Sequence, residues 1–199
     1  MLLVDGGYLL GSVPFGLWLV RWRTGDDVRR HGSGNIGATN VWRAYGRRYG
    51  IPVILFDVAK GLVPALLGAW LVNDLAGVLA GGAAMAGHWR PIYLGFARGG
   101  KTVATTGGTF LGVAPVVGAL AAVIWLTVFG LFRYASLASI VTACALPVLA
   151  ALLGEPWPVV AFGAAAAVAV LLLHRANIGR LRKGTENRFH FGRRRSTPA

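Results

Sequence analysis

Acidic residues and cysteine are what this chain has least of. Its 199 residues include 7 Asp and Glu and a single cysteine, Cys144. One cysteine excludes an internal disulfide framework, and no CxxC or Cys/His spacing marks a structural zinc site. Charge of either sign is scarce: 14% of residues are charged against 55% hydrophobic, and the mean hydropathy is +0.60. A soluble globule carries about a quarter charged residues, so a soluble fold is excluded. The few acids face 20 Lys and Arg, for a formal net charge of +13. That balance suits a nucleic-acid binder, but such proteins spread basic residues over a polar surface. Here the charges are confined to short stretches between long apolar runs. That is the layout of a membrane protein; a basic membrane-anchored scaffold for nucleic acid or lipid would leave the glycine-rich blocks of the chain unexplained.

The apolar runs cover residues 2–20, 51–72, 75–87, 103–132, 135–154 and 158–173. A helix needs about 20 apolar residues to cross the hydrocarbon core. The run 75–87 is short for this, and 103–132 is too long for one straight crossing. Charge placement decides the count. Of the 20 basic residues, seven lie in 21–48, three in 90–101 and eight in 175–195. The positive-inside rule puts all three groups in the cytoplasm. Asp5, Asp74 and Glu155 sit at the opposite ends of the runs. The stretch 101–133 starts and ends beside basic residues, so it crosses an even number of times, with Gly107, Gly108, Gly112 and Pro115 supplying the break. The expectation is an all-α integral membrane protein of seven spans, at 2–22, 51–72, 75–88, 101–113, 115–132, 135–153 and 157–174. Its N-terminus lies outside, its C-terminus inside, and residues 1–199 form one membrane-embedded domain with a basic cytoplasmic tail at 175–199. Met1 is followed by Asp5 and no leading Lys or Arg, which reads as a retained span and not a secretory signal. Short Gly-rich spans flanking a polar loop point to a cavity open on the cytoplasmic side, because non-helical backbone at membrane depth needs protein or water around it.

The polar loops carry the chemistry. The first reads HGSGNIGATN over residues 31–40, followed by Arg43, Arg47 and Arg48. Glycines let backbone N–H groups approach an anion, while Ser33, Asn35 and Thr39 add donors without bulk. Thr39 or Asn40 is positioned to cap a helix starting at Val41, and helix N-termini bind phosphate. The GxxxxGK[ST] order of a Walker loop is absent. The competing reading is a flexible loop with arginines facing anionic headgroups. In the second loop, Gly99-Gly100-Lys101 can set two amides and an ammonium around one phosphate, or Lys101 can be a snorkelling anchor. In the third cluster, HRANIGRL at 174–181 puts His174 and Asn177 three residues apart on one helical face. A histidine there can serve as a general base or as an interfacial residue bonded to backbone. Glu186, alone among arginines, reads as a structural ion pair. Asp57 and Lys60, inside the second span and three apart, read as a buried structural pair. Ser136 and Ser139 read as helix-packing serines bonded to backbone carbonyls.

Taken together, LGSVPFG at 10–16, GSGNIGATNV at 32–41, FDVAKG at 56–61, Gly87-His88, Pro91, Phe96 and Gly99-Gly100-Lys101, and HRANIGRL with Gly184-Thr185-Glu186 resemble the bacterial membrane glycerol-3-phosphate acyltransferases that use acyl phosphate, the PlsY family. The likeness spans nearly the whole chain. Two departures flank the lysine: Ala97-Arg98 stands where the family has one residue, and Thr102 where it has glycine. The resemblance implies acyl transfer from acyl phosphate to the first hydroxyl of glycerol 3-phosphate, giving lysophosphatidic acid and phosphate in the bacterial inner membrane, without metal, cofactor or CoA. It further implies a monomer whose partners are these substrates and membrane lipid. On this resemblance Ser33, Gly34, Asn35, Gly37 and Thr39, with Asn40, Gly99, Gly100 and Lys101, form the acyl-phosphate cradle. Arg43, Lys101, Ser139, His174 and Asn177 hold glycerol 3-phosphate, with His174 the candidate base and Glu186 keeping the third cluster in shape. Ser33 as a covalent nucleophile is the alternative chemistry, although the sequence places no base beside it. A small transporter of phosphorylated metabolites is the alternative function. Its need for access from both faces conflicts with polar clusters on one side and outer loops as short as 73–74 and 154–157. None of the four histidines is followed five residues later by Asp, which disfavours the His-x-x-x-x-Asp chemistry of CoA-dependent acyltransferases.

Overall fold

The structure is a computed structural model describing residues 1–190, and every regular element among these is helical. The chain opens with α1 (Leu2–Ser12) and α2 (Phe15–Thr24), separated at Val13-Pro14. The first predicted span is therefore two helices: Pro14 offers no N–H to continue the ladder. A basic loop leads to the short amphipathic α3 (Ala38–Tyr45) and then to α4 (Arg47–Leu71). α5 (Asp74–Trp89), α6 (Val103–Val113), α7 (Pro115–Phe132), α8 (Ala135–Leu152), α9 (Trp157–Leu173) and α10 (Arg175–Arg182) complete the order.

By length and composition, 2–24, α4, α7 and α8 can each cross a membrane, and α9 with α10 forms a pair bent by 63°. α6 has 11 residues, so at 1.5 Å per residue it is roughly half the hydrocarbon thickness. α4, α5 and α7 pack around it, which is the surrounding a short helix needs at membrane depth. Gly107, Gly108 and Gly112 do not break the chain as expected; they lie inside α6. Gly108 rests on the carbonyl of Val58, and Gly61 of α4 rests on the carbonyl of Thr105, so a Cβ at either position collides with backbone. The turn comes at Ala114, and Pro115 opens α7 where its missing N–H has no cost.

The outer faces are apolar. Trp70, Leu126, Leu131, Leu152 and Leu172 are exposed, while α7 buries only Val117, Gly118 and Ala121. Water disfavours so broad an apolar belt, and lipid is its natural solvent. A compact core of Val78, Phe110, Ala114, Val117, Ala121, Leu146, Ala150 and Val159 closes the end remote from the basic loops. The predicted basic tail is partly structure. Its first residues form α10, Glu186 turns back into the bundle, and Phe189 is buried; residues 191–199 lie outside those described.

Candidate active site

Polar side chains converge at the basic end of the bundle. The loop after α2 is tied down by its acids. Asp27 accepts from the Arg29 amide at 3.0 Å and from the Arg29 side chain at 2.6 Å, and this holds its carboxyl down at about 2. Asp26 accepts from Tyr45 at 2.8 Å and pairs with His31 at 2.7 Å. Asn40 knots the next turn: its Oδ1 accepts from the Ser33 amide at 3.0 Å, and its Nδ2 reaches the carbonyls of His31 at 3.0 Å and Asn35 at 2.8 Å. α3 begins at Ala38 on Gly37 with no side-chain cap. Neither Thr39 nor Asn40 is the cap expected; the amide of buried Asn40 bonds the loop, and the residue also lines the cavity.

Several amides of the expected anion cradle have partners within the protein. Gly34 N–H donates to the His31 carbonyl at 3.0 Å and Gly37 N–H to Asn35 Oδ1 at 2.8 Å, so with Ser33 three loop amides are engaged. Gly99 and Gly100 donate their amides to the carbonyls of Trp89 and His88, each at 2.9 Å. These two glycines are required for close approach: a Cβ on Gly100 falls into the His88 imidazole, and one on Gly99 meets the His88 carbonyl. They press the second loop onto the end of α5, and Asn35 Nδ2 adds a bond to the Gly99 carbonyl at 3.3 Å. The chain runs from this packed pair directly into Lys101. The side chains of Ser33, Thr39, Arg43 and Lys101 line the cavity, as does Asn35, whose side-chain amide already bonds Gly37 and Gly99.

Lys101 Nζ donates to Asn177 Oδ1 at 2.6 Å, and Asn177 Nδ2 donates to Glu186 Oε1 at 2.6 Å. Ser136 Oγ donates to the same oxygen at 2.7 Å, and Arg180 Nε to Oε2 at 2.7 Å. Glu186 is thus the hub expected of it, though Ser136 bonds its carboxylate and not backbone. Burial pushes the Glu186 carboxyl up, but the donors from Asn177, Ser136 and Arg180 prevail and its net displacement is downward. Burial pushes Lys101 down to about 8, against the pull of Glu186. Arg43 is also lowered by burial, with Glu186 opposing.

His174 caps α9 at the bend, not within one helix shared with Asn177, and both still face the same cavity. Its Nδ1 lies 2.9 Å from the Val170 carbonyl. A carbonyl only accepts, so Nδ1 carries a proton and Nε2 of the neutral ring is the acceptor. Ser139 donates to the Ala135 carbonyl at 2.7 Å, as expected, and accepts from Trp125 Nε1 at 3.2 Å. Asp57 and Lys60 form the expected buried pair at 2.8 Å, with His88 Nδ1 3.7 Å from the same oxygen.

These groups surround a cavity of about 400 Å³. Its mouth holds Ser33, Thr39, Arg43, Lys101, Ser136, His174 and Asn177; further along the helices its wall becomes Leu111, Gly118, Ala121, Ala122, Leu126 and Leu146. Sequence reasoning missed Trp125, Arg180, His88 and the Asn187 carbonyl, which accepts from Arg43 at 2.8 Å. His88 and Arg180 stood within motifs of the sequence; a tryptophan in an apolar run and a backbone carbonyl have no signature there.

The family model of glycerol-3-phosphate acyltransferases matches residues 1–184. The glycerol-3-phosphate acyltransferase of Desulforudis audaxviator is 46% identical over 191 residues, 96% of each chain. That of Rhodospirillum rubrum is 48% identical over 190 residues, 92% of this chain and 87% of its own. The crystal structure of PlsY (YgiH), an integral membrane glycerol 3-phosphate acyltransferase, in its glycerol 3-phosphate form superposes with a TM-score of 0.91 at 38% identity, covering 95% of this chain and 94% of that one. Its lysophosphatidic acid form gives 0.88 at 36% identity, covering 96% and 95%. Since the match runs through every helix that shapes the cavity, this integral membrane chain belongs to the glycerol-3-phosphate acyltransferase family.

Proposed function

We propose that this protein transfers an acyl group from an acyl phosphate to the 1-hydroxyl of glycerol 3-phosphate, yielding lysophosphatidic acid and inorganic phosphate. The observation that carries the reading is the cavity, whose cationic, hydroxyl-rich mouth continues into an apolar interior within one helical bundle. Both substrates carry phosphate, and one carries an acyl chain that needs hydrocarbon around it. Membership of the family and likeness to structures in a glycerol 3-phosphate and a lysophosphatidic acid form support it.

In this reading Ser33, Asn35 and Thr39 face the acyl-phosphate phosphate, and Arg43 faces the phosphate of glycerol 3-phosphate. Lys101, held by Asn177, stands between the two anions. The acceptor hydroxyl attacks the acyl carbon, the bond from that carbon to the phosphate oxygen breaks, and phosphate departs. Nε2 of neutral His174 or an oxygen of the departing phosphate takes the hydroxyl proton. An acyl phosphate is already activated, so holding the reactants in line and offsetting charge on the leaving phosphate supply most of the acceleration. In this reading the working unit is a monomer.

The concentration of basic residues at the cavity end supports a site facing the cytoplasm of the bacterial plasma membrane, with the N-terminus outside. The test is purified protein in detergent given glycerol 3-phosphate with palmitoyl phosphate or with palmitoyl-CoA. Phosphate release with the first donor and no product with the second is expected. Failure with both sinks the proposal in favour of a transporter of phosphorylated metabolites.

A further inference from the structure

The family model stops at residue 184, yet the residues that follow reach back to the mouth of the cavity. Beyond Glu186, the Asn187 carbonyl accepts from an Arg43 guanidinium nitrogen at 2.8 Å. Two residues later the Phe189 ring lies under that guanidinium, with its centroid 5.5 Å from the central carbon. The ring is itself clamped edge-on by Trp42 at 5.7 Å and by Phe129 at 5.3 Å. The Phe189 amide donates to the Arg133 carbonyl at 2.7 Å, at the corner between α7 and α8, and the residue is 3% exposed.

A long arginine side chain has rotamer freedom to lose on being fixed. Here one carbonyl and one aromatic face hold the guanidinium before any ligand arrives. The carbonyl takes one N–H direction and the ring takes one face, which leaves the other donors of the fork for an anion. The site thus has an arginine that is ordered in advance by a segment outside the motif loops.

We propose that Phe189 is a positioning residue for glycerol 3-phosphate binding: the segment 187–189 is a clasp that pre-orients Arg43 toward the substrate phosphate. This rests on the assignment of Arg43 to glycerol 3-phosphate made above.

The test compares steady-state kinetics of the full-length protein with Phe189→Ala, Phe189→Tyr, Arg43→Lys and the Arg43→Lys/Phe189→Ala double variant, using palmitoyl phosphate and glycerol 3-phosphate. Phe189→Ala should raise KM for glycerol 3-phosphate about tenfold, with kcat and the KM for palmitoyl phosphate changed by less than about twofold. Phe189→Tyr, which keeps the ring face, should restore the wild-type value. The double variant should be no worse than Arg43→Lys alone, because the clasp acts through Arg43. If Phe189→Ala does not survive purification, Phe189→Leu carries the same test, since it keeps apolar volume and loses the ring. Additive losses in the double variant, or a parallel shift of kcat and both KM values, overturn the proposal as mere structural damage. Impaired Arg43→Lys beside an unaffected Phe189→Ala overturns the clasp alone. Unchanged kinetics in Arg43→Lys overturn the Arg43 assignment, and the clasp falls with it.

Discussion

Lys101 and Asn177, 76 residues apart in the chain, meet at 2.6 Å, with Asn177 in turn held by Glu186 at 2.6 Å. The lysine comes from the loop ahead of α6 and the asparagine from α10, so this contact joins the two halves of the cavity mouth. An asparagine partner fixes the ammonium without neutralising it, which leaves its charge available to an anion.

Lys101→Ala should therefore abolish turnover while the protein still purifies as a folded monodisperse species. Loss of one such donor from a preorganised site costs about 10²–10³ in rate. Phosphate release from palmitoyl phosphate and glycerol 3-phosphate is the assay, and activity within about tenfold of wild type removes Lys101 from the mechanism.

The pH profile carries a second signature. Burial lowers Lys101 from 10.5 to about 8, so the unliganded enzyme loses the ammonium as pH rises through about 8. Below that value the charge is present. kcat/KM should accordingly fall on the alkaline side near pH 8, since this ratio reports groups of the free enzyme. Lys101→Arg, whose guanidinium stays charged, should lose that limb whatever its absolute rate. Glu186 supports the charged form of Lys101, so Glu186→Gln should move the limb to lower pH; a limb that stays put dissociates Lys101 from it.

The glycine pair makes a steric prediction. Gly100→Ala places a methyl in the His88 ring and must lift the loop that carries Lys101. Its activity and thermal stability in detergent should both drop. Gly6→Ala, where a Cβ meets nothing within 4 Å, serves as the control and should leave both unchanged. Equal behaviour of the two variants contradicts the packing role.

Thr102 offers the opposite sign. It stands where the family resemblance expects glycine, and its backbone is left-handed, with φ +63°. A side chain in that conformation costs about 1–2 kcal/mol, a cost glycine does not incur. Thr102→Gly should raise the midpoint of thermal unfolding by a few degrees; a lower midpoint shows that the buried threonine side chain contributes more by packing than its backbone costs.

The buried pair of Asp57 and Lys60 should be more sensitive singly than together. Removing one partner leaves an uncompensated charge in an apolar setting, at about 3–5 kcal/mol. Asp57→Asn or Lys60→Met alone should lower the unfolding midpoint sharply, and the double variant should recover much of the loss. Additive losses exclude the pair as a unit.

The apolar runs and the three basic groups determined by themselves that this is an all-helical membrane protein with its chemistry at one end. Composition does that without tertiary information, because lipid and water sort side chains before any contact forms. Local signals also marked Lys101, His174, Asn177, Asp57 and Lys60. Only the tertiary structure decided how the glycines act. Gly99 and Gly100 read as phosphate-binding amides, but their N–H groups face carbonyls of α5 and their bare Cα atoms make room for His88. Gly107, Gly108 and Gly112 read as a break and lie inside a helix. A glycine permits both a free amide and a close approach, and which of them is used depends on what lies opposite. The same holds for Asn187 and Phe189: a carbonyl and a ring face acquire meaning when Arg43, 144 residues earlier than Asn187, is brought against them.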